Sequence, residues 1–328
     1  MAIDTVIWND WYPLARSQDI QPGNLIAARL LDTDLVLWRS DDQQVHAWED
    51  RCPHRSVRLS IGQVIQNRVV CAYHGLAFDQ TGQCVQVPAH PDYVPPPQAC
   101  VRSHLVQEKY GLIYVCLGDG QQAIPDFPEW TDPSFRFCLC GPYPAETVGL
   151  RAIENFLDVS HFPFVHAGSL GDPKQTIVPE YEAAIDEQGV CLRNVQVWQP
   201  DPDGQGQGAY VTYTYRVYRP LTAYLHKETT PENRLVILFH VTPVSEEKAI
   251  GWMWVGMNYA HDVTEAEMRD FQDQLIREDF AKLAAHHPKQ LPLDSHTEFH
   301  LPCDRGSLMY RKWLKQLGVT YGILRVSE

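Results

Sequence analysis

The chain has 328 residues, 44% of them apolar, enough for two domains with separate cores. Its formal charge of −14 disfavours nucleic acid as a partner, since phosphate binding needs a basic surface; it is compatible with a cationic substrate, although whole-chain charge does not describe one pocket. No uncharged apolar run reaches spanning length, and Met1-Ala2-Ile3-Asp4-Thr5 lacks the basic start and apolar core of a signal peptide, so a cytoplasmic protein without membrane contact is expected.

Residues 8–50 read as all-β. Trp8-Asn9-Asp10-Trp11-Tyr12-Pro13-Leu14 opens the domain. Apolar runs at 25–31 and 35–38 are separated by Asp32-Thr33-Asp34, a hairpin signal, and Val45-His46-Ala47-Trp48 follows another polar turn. Two loops come next, Arg51-Cys52-Pro53-His54-Arg55 and Cys71-Ala72-Tyr73-His74-Gly75. Each offers one cysteine and one histidine, as Cys52-x-His54 and Cys71-x-x-His74. A Rieske [2Fe–2S] cluster needs that set: two thiolates hold one iron and two neutral imidazoles the other, which raises the potential. Structural zinc also accepts two cysteines and two histidines, but usually as a cysteine pair followed by a histidine pair. Interleaved ligands with a one-residue first gap favour the cluster. Of the nine cysteines, two are then metal ligands. The other seven read as mostly buried thiols in a reducing compartment, not as a disulfide frame.

Phe78-Asp79-Gln80-Thr81-Gly82-Gln83 reads as a hairpin turn. The proline-rich stretch 88–97 reads as an extended connector. A last strong strand covers 110–117, closed by Gly118-Asp119-Gly120. This gives a β-domain over 1–120, an interdomain crossing over 121–145 rich in proline and aromatics, and a second domain over 146–328. Cys138-x-Cys140 in the crossing reads as two small buried side chains of a strand rather than a metal pair.

The second domain opens on Glu154-Asn155-Phe156-Leu157-Asp158-Val159-Ser160-His161-Phe162-Pro163-Phe164-Val165-His166. On a continuous helix Asn155, Asp158 and His161 share a face. His166 falls roughly 140° round from His161, and a break at Pro163 is the expected means of returning it. Two histidines beside an inward carboxylate favour a metal site over a plain amphipathic helix. Strands are expected over 190–198, 210–218, 234–241 and 250–258, with 201–208 an exposed loop and Trp252-Met253-Trp254 in the core. Residues 264–286 read as a long helix capped by Thr264 and Glu267, with Met268, Phe271, Leu275, Ile276 and Leu283 as its apolar face. Asp279 projects near the centre of that face, Glu278 to one side. A carboxylate aimed into a core meets either a metal or a paired Lys or Arg; the metal reading makes Asp279 the third ligand. His286-His287 and His296-x-x-x-His300 read as surface or loop residues. The fold expected is α+β: an all-β cluster domain, then a helix-on-sheet, helix-grip-like catalytic domain.

These motifs resemble the Rieske non-heme iron oxygenases, with Ala72 and Leu76 standing where the family commonly has proline and tryptophan. Asn155-x-x-Asp158-x-x-His161-x-x-x-x-His166 is similar to the family's mononuclear-iron signature. The resemblance implies that His161 and His166 bind Fe(II) with a late-helix carboxylate. It further implies that Asp158 bridges electron transfer from a Rieske histidine of a neighbouring subunit, with Asn155 as a supporting group. Trp11-Tyr12-Pro13-Leu14-Ala15 resembles the α-subunit-only branch, which includes vanillate and dicamba demethylases. The tail from Tyr310 to Gly322 is similar to saxitoxin-biosynthesis hydroxylases. The function implied is that of a terminal monooxygenase in a head-to-tail homotrimer. It would take electrons from NAD(P)H through a separate reductase or ferredoxin, since no Gly-x-Gly-x-x-Gly is present. It would use O2 to hydroxylate a small molecule, for which the resemblance of the tail suggests a saxitoxin-like guanidinium alkaloid. An O-demethylase of methoxy-aromatics is the first alternative, and an electron carrier with an idle second domain the other.

Overall fold

The computed structural model describes residues 3–294 and 296–325 and divides the chain into two units, Trp8–Ile124 and Met1–Ile7 with Pro125–Glu328. The first unit is all antiparallel β. Strands β1 (Tyr12–Arg16), β2 (Leu25–Leu30), β3 (Thr33–Arg39), β4 (Val45–Glu49), β9 (Ser103–Lys109) and β10 (Leu112–Cys116) form one sheet in the order β1-β10-β9-β4-β3-β2. A smaller sheet holds β5 (Gln63–Ile65), β6 (Arg68–Val70), β7 (Ala77–Phe78) and β8 (Cys84–Gln86).

The first hairpin turn lies at Leu31-Asp32, not at Asp32-Thr33-Asp34. Both turn residues have positive φ (50° and 61°), as a tight two-residue hairpin requires. Gln66-Asn67 turns β5 into β6 in the same way, with φ of 50° and 59°. The run at 110–117 starts as a strand only at Leu112, because Tyr110 and Gly111 (φ 53° and 70°) form the turn from β9. Asp79 holds the 79–83 turn by accepting from the backbone N–H of Thr81 and Gln83.

In the second unit seven antiparallel strands run in the order β11-β17-β16-β15-β14-β13-β12. They are β11 (Arg136–Ala145), β12 (Glu182–Asp186), β13 (Gly189–Gln199), β14 (Ala209–Arg219), β15 (Thr222–Glu228), β16 (Arg234–Ser245) and β17 (Lys248–Met257). Residues 136–145 of the stretch read as a crossing are therefore an edge strand, with Cys138 and Cys140 buried side by side and their sulfurs 3.9 Å apart.

Side chains alternate across a strand, and direct cross-strand partners share a face. One row of partners is Tyr213, Lys227, Leu235 and Met257; the next is Tyr215, Leu225, Ile237 and Val255. The helices are α1 (Gly149–Leu157), α2 (Phe162–Val165), α3 (Glu265–Leu283) and α4 (Arg305–Leu317). The expected capping box starts α3: Thr264 accepts from the Glu267 N–H, and the Glu267 carboxylate accepts from the Thr264 N–H. Met268, Leu275, Ile276 and Leu283 are buried as expected, whereas Phe271 is 42% exposed. No helix among the described residues is long and apolar enough to cross a membrane.

A four-residue ion network ties α1 to α4. Arg311 pairs with Glu154 at 2.5 Å and Glu298 at 2.5 Å, and Arg151 pairs with Glu298 at 2.6 Å and Glu154 at 3.2 Å. Partial burial of the Glu298 carboxyl pushes its pKa up, but Arg151 and Arg311 more than offset that and hold it down to about 2. A carboxylate depressed in the folded state stabilises the fold above its unfolded pKa, and that contribution fades as pH falls through the folded one. Glu298→Gln should therefore cost on the order of 1–2 kcal/mol at neutral pH, allowing for solvent screening of a side chain about a third exposed. In denaturant titrations the gap from wild type should narrow as pH falls from about 4.5 toward about 2. A gap independent of pH would remove the charge from the explanation.

Candidate metal centres

The two cysteine–histidine loops are built alike. The Cys52 N–H donates to the Val57 carbonyl and the Cys52 carbonyl accepts from Ser56 N–H. Cys71 repeats this with Leu76 and Gly75. The fourth residue after each cysteine has positive φ, 58° at Ser56 and 69° at Gly75, the turn glycine accommodates without strain. Both cysteines are 1% exposed, in the core that holds Trp38, Trp48 and Phe78. His54 and His74 are exposed, their rings 4.6 Å apart and edge to face, and the Tyr73 ring lies 3.9 Å from His74. Leu76 packs against the same core and Ala72 is exposed, so both departures from the usual pattern leave the loop geometry intact. Burial pushes the Cys52 thiol up to about 11, against backbone N–H donors at His54 and Arg55. A thiol buried with amide donors and a second thiol at hand suits a shared inorganic cluster, which keeps its sulfurs ionised.

The second centre forms differently from the helical reading. Helix α1 ends at Leu157, and Asp158 is its extended C-cap (φ −90°, ψ 122°). Asp158 and His161 therefore lie beyond the helix rather than along its face. The chain turns before Pro163, which sits in the first turn of α2, where its missing N–H costs nothing. The turn brings the His161 and His166 rings to 5.2 Å. Asp279 reaches them from α3: its Oδ1 is 3.3 Å from His161 Nε2 and 3.0 Å from His166 Nε2. Ligand atoms of His161, His166 and Asp279 all lie within 4.8 Å of one another.

Asp158 Oδ1 accepts from the Ser160 N–H at 2.7 Å, and its Oδ2 is 3.4 Å from His161 Nδ1. Asn155 Nδ2 is 3.5 Å from Asp279 Oδ1. Burial disfavours a charged His161, yet Asp158 and Asp279 raise it to about 9. For Asp279 burial raises the pKa, and the two histidines hold it below the usual range. His161 Nε2 is buried without a hydrogen-bond partner among the described residues. Two imidazoles converging on one carboxylate, with His161 Nε2 close to Asp279 but not hydrogen-bonded to it, suit a 2-His-1-carboxylate iron site.

Glu278 was not singled out by its place beside Asp279, yet its carboxylate accepts from His166 Nδ1 at 2.7 Å and from Gln274 at 2.9 Å. It fixes the ring so that Nε2 faces Asp279. A carboxylate one residue from a candidate ligand on the same helix was the available signal.

Two cavities meet at this triad. One, about 120 Å³, is mostly apolar and lies between the sheet and helices α1 and α3; Tyr213, Tyr215, Lys227, Phe239 and Gln272 line it. Of Trp252-Met253-Trp254, only Met253 lines this cavity; Trp252 donates to Thr242 and Trp254 packs edge-on against Trp130. The other cavity, about 390 Å³, is polar and is walled by Asp158, His161, His286, Phe299, His300 and the Arg151–Glu154–Glu298–Arg311 network.

Residues 10–104 match the Rieske [2Fe-2S] domain and residues 149–320 the vanillate O-demethylase oxygenase C-terminal domain. The methylxanthine N1-demethylase NdmA of Pseudomonas putida is 32% identical over 318 residues, covering 94% of this chain and 88% of the relative. The solved structure of Pseudomonas putida NdmA with caffeine superposes with a TM-score of 0.81 at 27% identity, over 94% of this chain and 90% of that one. Dicamba monooxygenase bound to dicamba shares the fold, with a TM-score of 0.80 at 24% identity, over 96% and 98% of the two chains. The chain belongs to the Rieske non-heme iron oxygenases, oxidoreductases that carry a Rieske [2Fe–2S] cluster and a mononuclear iron.

Proposed function

We propose that this protein is the terminal component of a monooxygenase that hydroxylates a C–H bond of a small planar molecule, the favoured bond belonging to a methyl group on nitrogen or oxygen. The observation that carries this reading is the His161–His166–Asp279 cluster in the wall of a largely apolar cavity. A carrier with an idle second domain has no use for that arrangement. Cys52 and Cys71 are assigned to one iron of the cluster and His54 and His74 to the other; His161, His166 and Asp279 are assigned to the mononuclear iron. When bound, these groups supply single electrons and the activation of O2. Glu278 and Asp158 orient the two imidazoles, and Asp158 is assigned the bridge between the centres. The apolar walls hold the substrate and exclude water.

One oxygen atom enters the substrate and the other leaves as water, with two electrons from NAD(P)H through a separate reductase or ferredoxin. Hydroxylating an N- or O-methyl carbon gives a hemiaminal or hemiacetal that releases formaldehyde, so demethylation follows from the same C–H chemistry. The relative named for N1-demethylation of methylxanthines supports this choice. Hydroxylation of a saxitoxin-like guanidinium alkaloid is the second reading, favoured by the net charge of −14.

A head-to-tail homotrimer suits the surfaces. Exposed His54 and His74 stand beside Tyr73 (63% exposed) at the cluster tip, and the polar cavity at Asp158 is rimmed by Phe299 (88% exposed). A neighbouring copy's tip would cover that rim. Nine cysteines with no disulfide among the described residues, Cys100 exposed among them, fit the cytoplasm.

The test is turnover of iron-loaded protein with a surrogate reductase, NADH and O2, on N-methyl heterocycles, methoxybenzoates and a guanidinium alkaloid. Formaldehyde in step with substrate loss is the expected result. Gain of one oxygen on the alkaloid alone would select the second reading. No product from any of them, with iron confirmed at both centres, would overturn the methyl-group assignment.

A further inference from the structure

Lys227 stands out in the wall of the apolar cavity. It is 7% exposed, on the inward phase of β15 with Ala223 and Leu225. An ammonium has three donors, and among the described residues Lys227 Nζ has one hydrogen-bond partner, the Pro202 carbonyl at 2.8 Å. Among those residues its remaining donors have no acceptor, and no carboxylate lies within ion-pair distance. A buried ammonium so poorly satisfied is costly unless something in the cavity completes its shell.

Burial lowers its pKa to about 8, with Asp201 and Asp203 acting the other way; it remains charged at neutral pH. The cross-strand partner of Lys227 is Tyr213. The Tyr213 hydroxyl accepts from Gln199 Nε2 at 2.8 Å, so its own proton is free to be donated. Tyr215, in the next row, has a buried hydroxyl with no partner among the described residues. Apart from the histidines, the charged side chains lining the cavity are Lys227 and Asp279, and Asp279 faces two imidazoles. Beside Lys227, this wall therefore offers the Tyr213 and Tyr215 hydroxyls as donors next to a positive charge, with the Gln272 amide as a group that can donate or accept.

We propose that Lys227, with Tyr213 beside it, determines specificity by receiving an acceptor oxygen of the substrate, so that the cavity takes aromatic or heteroaromatic molecules bearing a carboxylate or ring carbonyl and rejects guanidinium cations. This rests on the reading of the cavity as the substrate chamber. It also turns the choice between the two functional readings against the alkaloid, because the local charge opposes the charge of the whole chain.

Four single-ring probes of nearly one shape test it on the iron-loaded full chain: benzoate, benzamide, toluene and benzamidinium. A cavity of about 120 Å³ is of the size that holds one ring. Dissociation constants are measured by calorimetry or ligand-observed NMR for wild type, Lys227→Met and Lys227→Gln. Met removes the buried charge at similar length. Gln keeps a donor for Pro202, so a loop disturbed by Met is told apart from a lost ligand contact. Melting temperature and iron content check folding.

Wild type should bind benzoate and benzamide at least about 10-fold more tightly than toluene or benzamidinium, the worth of one good charged hydrogen bond. Lys227→Met should level the series. Lys227→Gln should lose the benzoate advantage and keep part of that for benzamide. An unchanged order in folded Lys227→Met would overturn the proposal. So would benzamidinium binding as well as benzoate, or no probe binding at about 10 mM, a concentration that detects contacts worth under 3 kcal/mol. Lys227-dependent benzoate binding without turnover of methoxybenzoates or N-methyl lactams would leave this inference standing and sink the demethylation reading. Turnover indifferent to Lys227 would do the reverse.

Discussion

Asp279→Asn should empty the mononuclear site while leaving the Rieske centre filled. Asp279 is the carboxylate in reach of both His161 and His166, at 3.3 and 3.0 Å. Asparagine keeps its shape but removes the charge that draws a cation between two neutral imidazoles. Losing a partner that merely orients a ligand costs about 10–100-fold in metal affinity; losing the anionic ligand itself should exceed that. Iron analysis should find the second-site metal gone after gel filtration, the cluster's visible absorption unchanged, and turnover at background. The Asn155 contact at 3.5 Å is compatible with either amide orientation, so a folding failure is not expected. If Asp279→Asn retains stoichiometric iron and activity, the third ligand lies elsewhere.

Asp158→Asn should behave in the opposite way: both metals stay and turnover falls by at least about 100-fold, the upper end of what a supporting group contributes. Asparagine Oδ1 can still accept from Ser160 N–H, so the segment between α1 and α2 keeps its course. What is lost is the negative charge 3.4 Å from His161 Nδ1. Substrate affinity should change little, because Asp158 lines the polar cavity and not the apolar one. Stopped-flow oxidation of the reduced cluster in the presence of substrate and O2 separates the roles. Slow oxidation with normal binding supports the bridge. Normal oxidation with weak binding would make Asp158 a structural residue.

How far the sequence carried depended on the kind of order being read. Cys52-x-His54, Cys71-x-x-His74 and His161-x-x-x-x-His166 stood out as candidate ligand sets because each lies in a short segment. The approach of Asp279 to His161 and His166 could be anticipated because helix periodicity put a carboxylate among Met268, Leu275, Ile276 and Leu283. The same periodicity misplaced Asp158 and His161, because α1 ends at Leu157 and nothing in a helical wheel marks that end. Glu278 was passed over because it points off the apolar face, which is why its carboxylate can reach the far side of His166. Lys227 was missed because β15 carries Thr, His, Lys and Glu among its seven residues and reads as polar. Its alternation phase with Ala223 and Leu225 would have placed it inside. The cavity was out of reach, since its walls join the successive strands β14 to β17 to α1, the segment after it and α3, which meet only when the helices pack on the sheet.

The sheet's register has a consequence for how such an enzyme can diverge. The three candidate iron ligands come from α3 and the segment that follows α1, whereas Tyr213, Leu225, Lys227 and Ile237 come from alternate positions of the sheet. A point mutation at an inward strand position changes what the chamber favours and leaves the metal-holding segments as they were. The fold thus partitions heritable variation. Substrate range can drift one grid position at a time while the oxidising machinery is passed on unchanged, and a lineage can explore new molecules without first losing the power to oxidise the old ones.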